Sequence, residues 1–315
     1  MIFSQTIFSK YLHGLIFHKH IEEKIKKANK GIGLLKFLSR YTTRVVLDRM
    51  YKMYVRPHLD YGDVIYHEQN ANSMQLLESV QYKAALIVSG CWKGTSRDKI
   101  YRELGWESLK DRRYYRRLVL YFKIINDISP GYLKQCIKPI PLSITKRYSC
   151  SFFPYCAKHW DTLSASIKNS PSISIFKNAL LKAIRPLPSP CYNNFCHELR
   201  RLTQLRVDFS DLREHRYRHR FNCVTPICSC GMDIESTTHF LLSCSKFACH
   251  RRALFADLEA IVPGITSLPP VALGEVLLYG SKDYCFATNS SILSVVLKYI
   301  KVSKRFHKLE AYSLE

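Results

Sequence analysis

Three cysteines and one histidine fall within the seventeen residues CSCGMDIESTTHFLLSC, from Cys228 to Cys244. Their order is Cys228-x-Cys230-x8-His239-x4-Cys244. Thiolate sulfur and imidazole nitrogen are the donors that Zn²⁺ takes, four at a time in a tetrahedron. Gly231 follows the first pair and permits a backbone reversal that aims both sulfurs at one point. Four protein donors leave no position for substrate, so the spacing predicts a structural zinc whose binding contributes to folding. The single residue between Cys228 and Cys230 is tighter than the usual two to four. A chance cluster of core cysteines beside a surface histidine is the alternative. Residues five apart do not share a face of a regular α-helix. A helix is therefore expected either to end before Cys244 or to begin after His239. Cys223, Cys249 and His250 lie close by as spare donors.

Immediately upstream runs LRRLTQLRVDFSDLREHRYRHRF, with Arg200, Arg201, Arg206, Arg213, Arg216, Arg218 and Arg220. His215, Tyr217, His219 and Phe221 are interleaved with them. Guanidinium forks grip phosphates, and aromatic faces stack on unpaired bases. RNA or DNA is the ligand this stretch predicts, with Tyr217 as a stacking residue. A solvated helix face is the plainer reading. Arg112, Arg113, Arg116 and Arg117 form a second candidate cluster for nucleic acid.

No catalytic centre emerges. Asp60 and Asp63 in RPHLDYGDVIY could suggest a two-metal nucleotidyl-transfer site. They are not adjacent, and no third carboxylate lies in a strand-like stretch. A turn with Gly62 in a special backbone conformation fits them better. There is no GxSxG, P-loop or HExxH motif.

The whole chain is strongly basic. Its 315 residues carry 48 Lys and Arg against 25 Asp and Glu, a formal charge of +23. Such a surface attracts polyanions, and displacing counterions from phosphates favours binding. No apolar run reaches about 18 residues, so no membrane span is expected. The opening MIFSQTIFSKYLHGLIF is interrupted by Lys10 and lacks a small-residue cleavage site. An intracellular, reducing setting follows, with the twelve cysteines as thiols or metal ligands. Cys91, Cys136, Cys150, Cys156, Cys191, Cys196 and Cys285 are expected as small core residues.

The elements that must position these residues read as mainly α. A helix over 19–38 places Ile21, Ile25, Ala28, Ile32 and Leu35 on one face, with Lys24, Lys26, Lys27 and Lys30 opposite. A second spans 42–55 with Val45, Val46, Met50, Met53 and Tyr54 inward, and Pro57 ends it. A third covers 72–88 through Leu76, Leu77, Val80, Ala84 and Ile87. Thr95 with Asp98, and Ser108 with Asp111, have capping-box spacing. The second of these opens a helix over 108–127. Residues 138–155 read as a loop or linker, and a helix follows over 172–184. RPLPSP at 185–190 is a linker. Beyond it lie helices near 194–206, 246–262 and 289–306.

Several long stretches in one order carry a resemblance. KIKKANKGIGLLKFLSRY, YVRPHLDYGDVIY, LESVQYKAALIVSG and TSRDKIYRELGWESLKDRRYYRRL come first. SFFPYCAKHWDTLSASIKNSPSISIFKNALLKAI, LREHRYRHRF and the cysteine stretch follow. Over about residues 20–306 the chain resembles the part after the polymerase core of jockey-like non-LTR retrotransposon reverse transcriptases. The resemblance implies a helical thumb-like bundle over 1–90, a helical connector over 91–190 and a basic zinc-binding module over 191–315. It implies that Cys228, Cys230, His239 and Cys244 are the family's carboxy-terminal cysteine–histidine motif, which helps bind RNA or target DNA. It carries over no catalytic residue, because the family's aspartates lie upstream of every matched stretch. The first twenty residues match weakly, and the stretch at 142–150 looks shortened. The expected function is that of a nucleic-acid-binding fragment without polymerase activity of its own, with a polymerase core as a further partner. A decayed transposon remnant, or part of an active enzyme whose palm lies upstream, are the alternatives.

Overall fold

The computed structural model describes residues 18–65, 71–137, 146–184, 197–221 and 225–306. It is mainly helical, and among the described residues the only β pairing is an isolated antiparallel bridge between Ile227 and Ile234. No helix among these residues is long and apolar enough to cross a membrane. By internal packing the chain divides into two units. One comprises Met1–Thr42, Val46–Ala84 and Glu107–Leu187; the other comprises Thr43–Val45, Ala85–Trp106 and Pro188–Glu315. Each unit is assembled from stretches that alternate along the sequence. The linker at 185–190, together with Cys191, Cys196 and Cys223, lies outside the described residues.

In the first unit, helix His18–Leu38 buries Ile21, Ala28 and Leu35, the face its apolar spacing predicts. Lys24 departs from that reading. It is buried, and its ammonium donates to the carbonyl of Tyr61. Burial draws the amine down to about 8, against the opposing pull of the Asp63 carboxylate.

The next helix does not stop before Pro57. Arg44–Met50 runs into a π-helical turn, Tyr51–Val55, and then into Arg56–Asp60, with Pro57 in its first turn. The Arg56 amide reaches back five residues to the carbonyl of Tyr51. The extra residue widens the turn where proline brings no amide and its ring would crowd an α-helix. It also resets the register. Leu47, Tyr51, Val55 and Leu59 are buried, whereas Val46, Met53 and Tyr54 are exposed.

Helix Leu109–Ile125 is capped as its sequence predicts, Ser108 Oγ accepting from the Asp111 amide at 3.0 Å. At Arg97–Leu104 the capping position is Ser96, not Thr95, whose hydroxyl donates to the carbonyl of Trp92. Leu118 and Phe122 pack with Phe176 and Leu180 of helix Ile173–Ile184, the Phe122 and Phe176 rings stacked at 4.3 Å. Part of 138–155, read as a loop from its composition, is helical: Lys146–Ser149 and the start of Phe152–Asp161.

The second unit is built on Ala248–Ile261 and Phe286–Val302, which pack together; Phe286–Val302 also packs against His197–Arg206 and Pro270–Tyr279. Leu254, Leu258, Ile292 and Val296 fill its core beside Phe240, Leu241 and two of the clustered cysteines. Of the scattered cysteines, Cys91 and Cys156 are buried as expected, Cys150 is half-buried, and Cys136 and Cys285 are exposed.

Candidate metal centre

The sequence between Pro226 and Cys244 folds into a tight loop and one turn of helix. The Cys228 amide donates to the carbonyl of Asp233 at 2.8 Å, and the Gly231 amide to that of Cys228 at 2.9 Å. Gly231 takes φ 78°, the left-handed region where a side chain would be strained. This turn aims the first two sulfurs at His239 and Cys244. The separations are 3.6 Å between the sulfurs of Cys228 and Cys244, and 3.3 Å between Cys230 Sγ and His239 Nε2. All four donor atoms lie within 4.8 Å of one another. Around a tetrahedral ion with ordinary bond lengths, two sulfurs would sit about 3.8 Å apart, and a sulfur and a nitrogen about 3.6 Å. The cluster therefore fits one metal ion.

The helix ends before Cys244, one of the two alternatives the sequence left open, but its last turn is not a regular α-helical one. His239–Ser243 is a π-helical turn, closed by the Cys244 amide donating to the His239 carbonyl at 2.8 Å. One extra residue in the turn brings positions five apart onto the same side.

The surroundings prepare the donors. Ser243 Oγ lies 3.1 Å from His239 Nδ1, leaving Nε2 to face the sulfurs. Ser236 Oγ accepts from the His239 amide at 3.0 Å. Arg251 Nη1 donates to the Cys244 carbonyl at 2.8 Å. Burial pushes the Cys228 thiol up, while the Met232 amide donating to its sulfur draws Cys230 down. Holding three thiolates together here requires a cation between them. Ser236 and Ser243 were missed from the sequence, although their three- and four-residue offsets from His239 are those of a cap and a helical neighbour.

Glu235 joins this loop to the basic stretch. It is buried and accepts from Arg305 Nε and Nη2, both at 2.7 Å, and from the Arg213 amide at 2.8 Å. Burial acts to raise its pKa, but these donors outweigh burial and hold the carboxyl below its usual range. Arg213 Nη1 also donates to the Ile227 carbonyl at 3.0 Å. Helix Arg213–Arg218 is thus fastened to the metal loop at its first residue.

The arginines expected to meet nucleic acid divide into two groups. Arg213 and Arg216 are half-buried, and Tyr217, Arg218 and Arg220 are exposed. Arg218 pairs with Glu214, while the Arg220 guanidinium makes no hydrogen bond or ion pair among the described residues. Arg201 and Arg206 instead point inward. Arg201 pairs with Asp211 at 3.1 Å, and Arg206 with Glu103 at 2.9 Å. Arg200 is half-buried and lies across Gly90, where any side chain would collide with it.

The second cluster is corrected more fully. Arg112, Arg113 and Arg117 are buried, Arg117 with 0% exposure, so they present no surface to a phosphate. Arg112 pairs with Asp60 at 3.0 Å and donates to Gln81 at 2.8 Å. Arg117 donates to the Val64 carbonyl and lies 4.8 Å over the Tyr155 ring. Arg116, one-third exposed, bridges Asp60 at 2.7 Å and Asp63 at 2.9 Å. Those two aspartates are thus counter-ions to arginine, flanking Gly62 at φ 68°. An alternating run of cations and aromatics reports composition but not direction, and here an amphipathic helix turns most of them inward.

Compared with known family models, with curated proteins and with solved structures, the chain matches none of them.

Proposed function

We propose that this chain binds nucleic acid through the exposed arginines of Arg213–Arg218 and the residues just after it, on a loop held by a structural zinc ion. The observation that carries this reading is the link from the donor loop to Arg213 through Glu235 and Ile227. Metal binding at Cys228, Cys230, His239 and Cys244 sets the loop, and the loop sets the helix. Three thiolates and an imidazole favour zinc over harder ions. The charge of +23 supplies long-range attraction to a polyanion. The resemblance to the carboxy-terminal part of jockey-like reverse transcriptases supports the same reading, and with it RNA or target DNA as ligand. No polymerase activity is assigned to this chain alone.

A second reading concerns the first unit, where Phe37, Tyr41, Met53 and Tyr54 are exposed. Large apolar side chains left at the surface favour a protein partner, and a polymerase core is the one the resemblance implies.

The test is a metal assay of the purified full chain, followed by binding to a labelled RNA across a salt series. Stoichiometric zinc is expected, with affinity falling by about 0.9 logarithmic units per tenfold salt for each phosphate neutralised. Substituting Arg216, Arg218 and Arg220 together by alanine should flatten that slope. A chain that folds without metal, or binding indifferent to salt, would overturn the reading.

A further inference from the structure

Two successive helices in the second unit end in the same way. After His197–Arg206, Asp208 takes φ 55°, its amide donates to the Leu205 carbonyl, and the Phe209 amide donates to that of Gln204 at 3.0 Å. After Arg213–Arg218, Arg220 takes φ 55°, its amide donates to the Tyr217 carbonyl, and the Phe221 amide donates to that of Arg216 at 2.9 Å. Both are left-handed caps of the kind that usually close on glycine and carry an apolar residue next in line. The two apolar residues are Phe209 and Phe221, and their rings meet edge to face at 5.5 Å.

Trp92 completes the group. Its ring lies 5.8 Å from Phe209 and 6.1 Å from Phe221, edge-on to both. The His219 ring packs on Phe209 at 4.2 Å. Phe209 is buried beneath the others, whereas Trp92 is half-buried, His219 is exposed and Phe221 is 40% exposed. Cations flank this rim in the chain itself. Arg220 stands between His219 and Phe221, and exposed Lys93 follows Trp92. Aromatic faces set among cations are the combination that holds unpaired bases and their phosphates. A duplex keeps its bases stacked on one another and offers such a rim only its backbone.

We propose that Trp92, His219 and Phe221 form a stacking platform for unpaired bases, so that the chain prefers single-stranded RNA or DNA over duplex. This rests on the nucleic-acid reading above and adds the form of the ligand. Phe221 supplies an exposed aromatic face, and Arg220 holds the neighbouring phosphate.

The experiment compares binding of the zinc-loaded full chain to single strands and duplexes of equal length, with RNA and DNA arms. A 2-aminopurine in the single strand reports stacking through its quenching. Phe221→Ala is expected to weaken single-strand binding about tenfold, the loss of one stacked base, to abolish the quenching and to leave duplex binding within about twofold. Phe221→Tyr should restore both. Phe221→Leu keeps apolar volume without an aromatic face; it should behave as the alanine variant does, and it serves if that variant fails to fold. Equal loss on single strand and duplex, or no quenching with the native chain, would overturn the platform while leaving nucleic-acid binding standing. No binding to any strand would overturn both.

Discussion

The amide of Cys244 donates to the carbonyl of His239, five residues back, at 2.8 Å. That bond lets a spacing of five serve one metal ion, since on an α-helix the two side chains would stand ~140° apart. Inserting one alanine between Leu242 and Ser243 should therefore separate the donors. Zinc content of the dialysed protein is expected to drop from stoichiometric to near zero. Full retention of metal would show that the donors converge without the π turn.

Arg206 and Arg218 look equivalent in the sequence but should fail in opposite ways. Arg206 Nη1 is paired with buried Glu103 at 2.9 Å, and its Nε donates to the Leu278 carbonyl at 2.6 Å. Arg206→Ala removes this partner from Glu103, which also pairs with Arg44 at 3.1 Å. Breaking a buried pair in this way costs about 3 kcal/mol. Arg218 pairs with Glu214 at the surface, and its removal should cost at most about 0.5 kcal/mol. Denaturant unfolding should separate the two in that order. RNA affinity per folded molecule should fall for Arg218→Ala and hold for Arg206→Ala.

What the sequence could convey depended on whether the chemistry was local. Donor types mark a candidate metal site whatever the backbone does, so the cluster of Cys228, Cys230, His239 and Cys244 was legible while the π turn joining two of them was not. Ile21, Ala28 and Leu35 were legible because a regular helix repeats. The stretch around Pro57 was misread because proline predicts a stop, and a π turn offers another solution. Its trace was present in Leu47, Tyr51, Val55 and Leu59, four residues apart throughout, a longer repeat than the 3.6 of an α-helix. Charge implies solvent for Lys24, Arg112 and Arg117, yet all three are buried. The carboxylates, carbonyls and rings that receive them come from distant parts of the chain.

His215 should make stability depend on acid. It is buried, its Nδ1 faces Ser210 Oγ at 2.8 Å, and burial pushes its pKa down to about 4, against a raising pull from Asp208. An unfolded chain would protonate this imidazole near 6.5. Between those values the unfolded state binds more protons, so stability rises with pH and is lost as pH falls from about 6.5 to about 4. The full shift corresponds to about 3 kcal/mol at most. His215→Asn keeps an acceptor facing Ser210 and cannot titrate. Its unfolding free energy should vary less across that window than the native chain's, and parallel curves would remove His215 as the cause.

Cys285 begins helix Phe286–Val302, with Thr288 Oγ1 3.2 Å from its sulfur and the Thr288 amide donating to it. The Thr288 hydroxyl and then that amide lower its pKa, and the thiol is exposed. Burial pushes Cys91 up to about 11 and Cys156 up to about 12. Iodoacetamide at neutral pH should modify Cys285 well before either, because the thiolate is the reacting form. Peptide mass mapping over time gives the order. Thr288→Val removes the hydroxyl and should slow Cys285 alone; an unchanged rate would assign its reactivity to exposure.

Arg220 occupies a position where its backbone would favour glycine. At φ 55° its Cβ is crowded, a cost of about 1 kcal/mol for a residue with a side chain. The cap bonds around it are made by amides and carbonyls, so they survive loss of the side chain. Arg220→Gly should therefore leave the folded chain as stable as before or more so, by up to about 1 kcal/mol. If the guanidinium holds a phosphate, the same substitution should weaken binding to single-stranded RNA and reduce the salt slope by about one phosphate's share. A side chain kept for folding alone cannot give a higher melting temperature together with a lower affinity. Melting and binding curves on one preparation of Arg220→Gly decide between the two roles, and unchanged affinity would assign Arg220 no part in holding the strand.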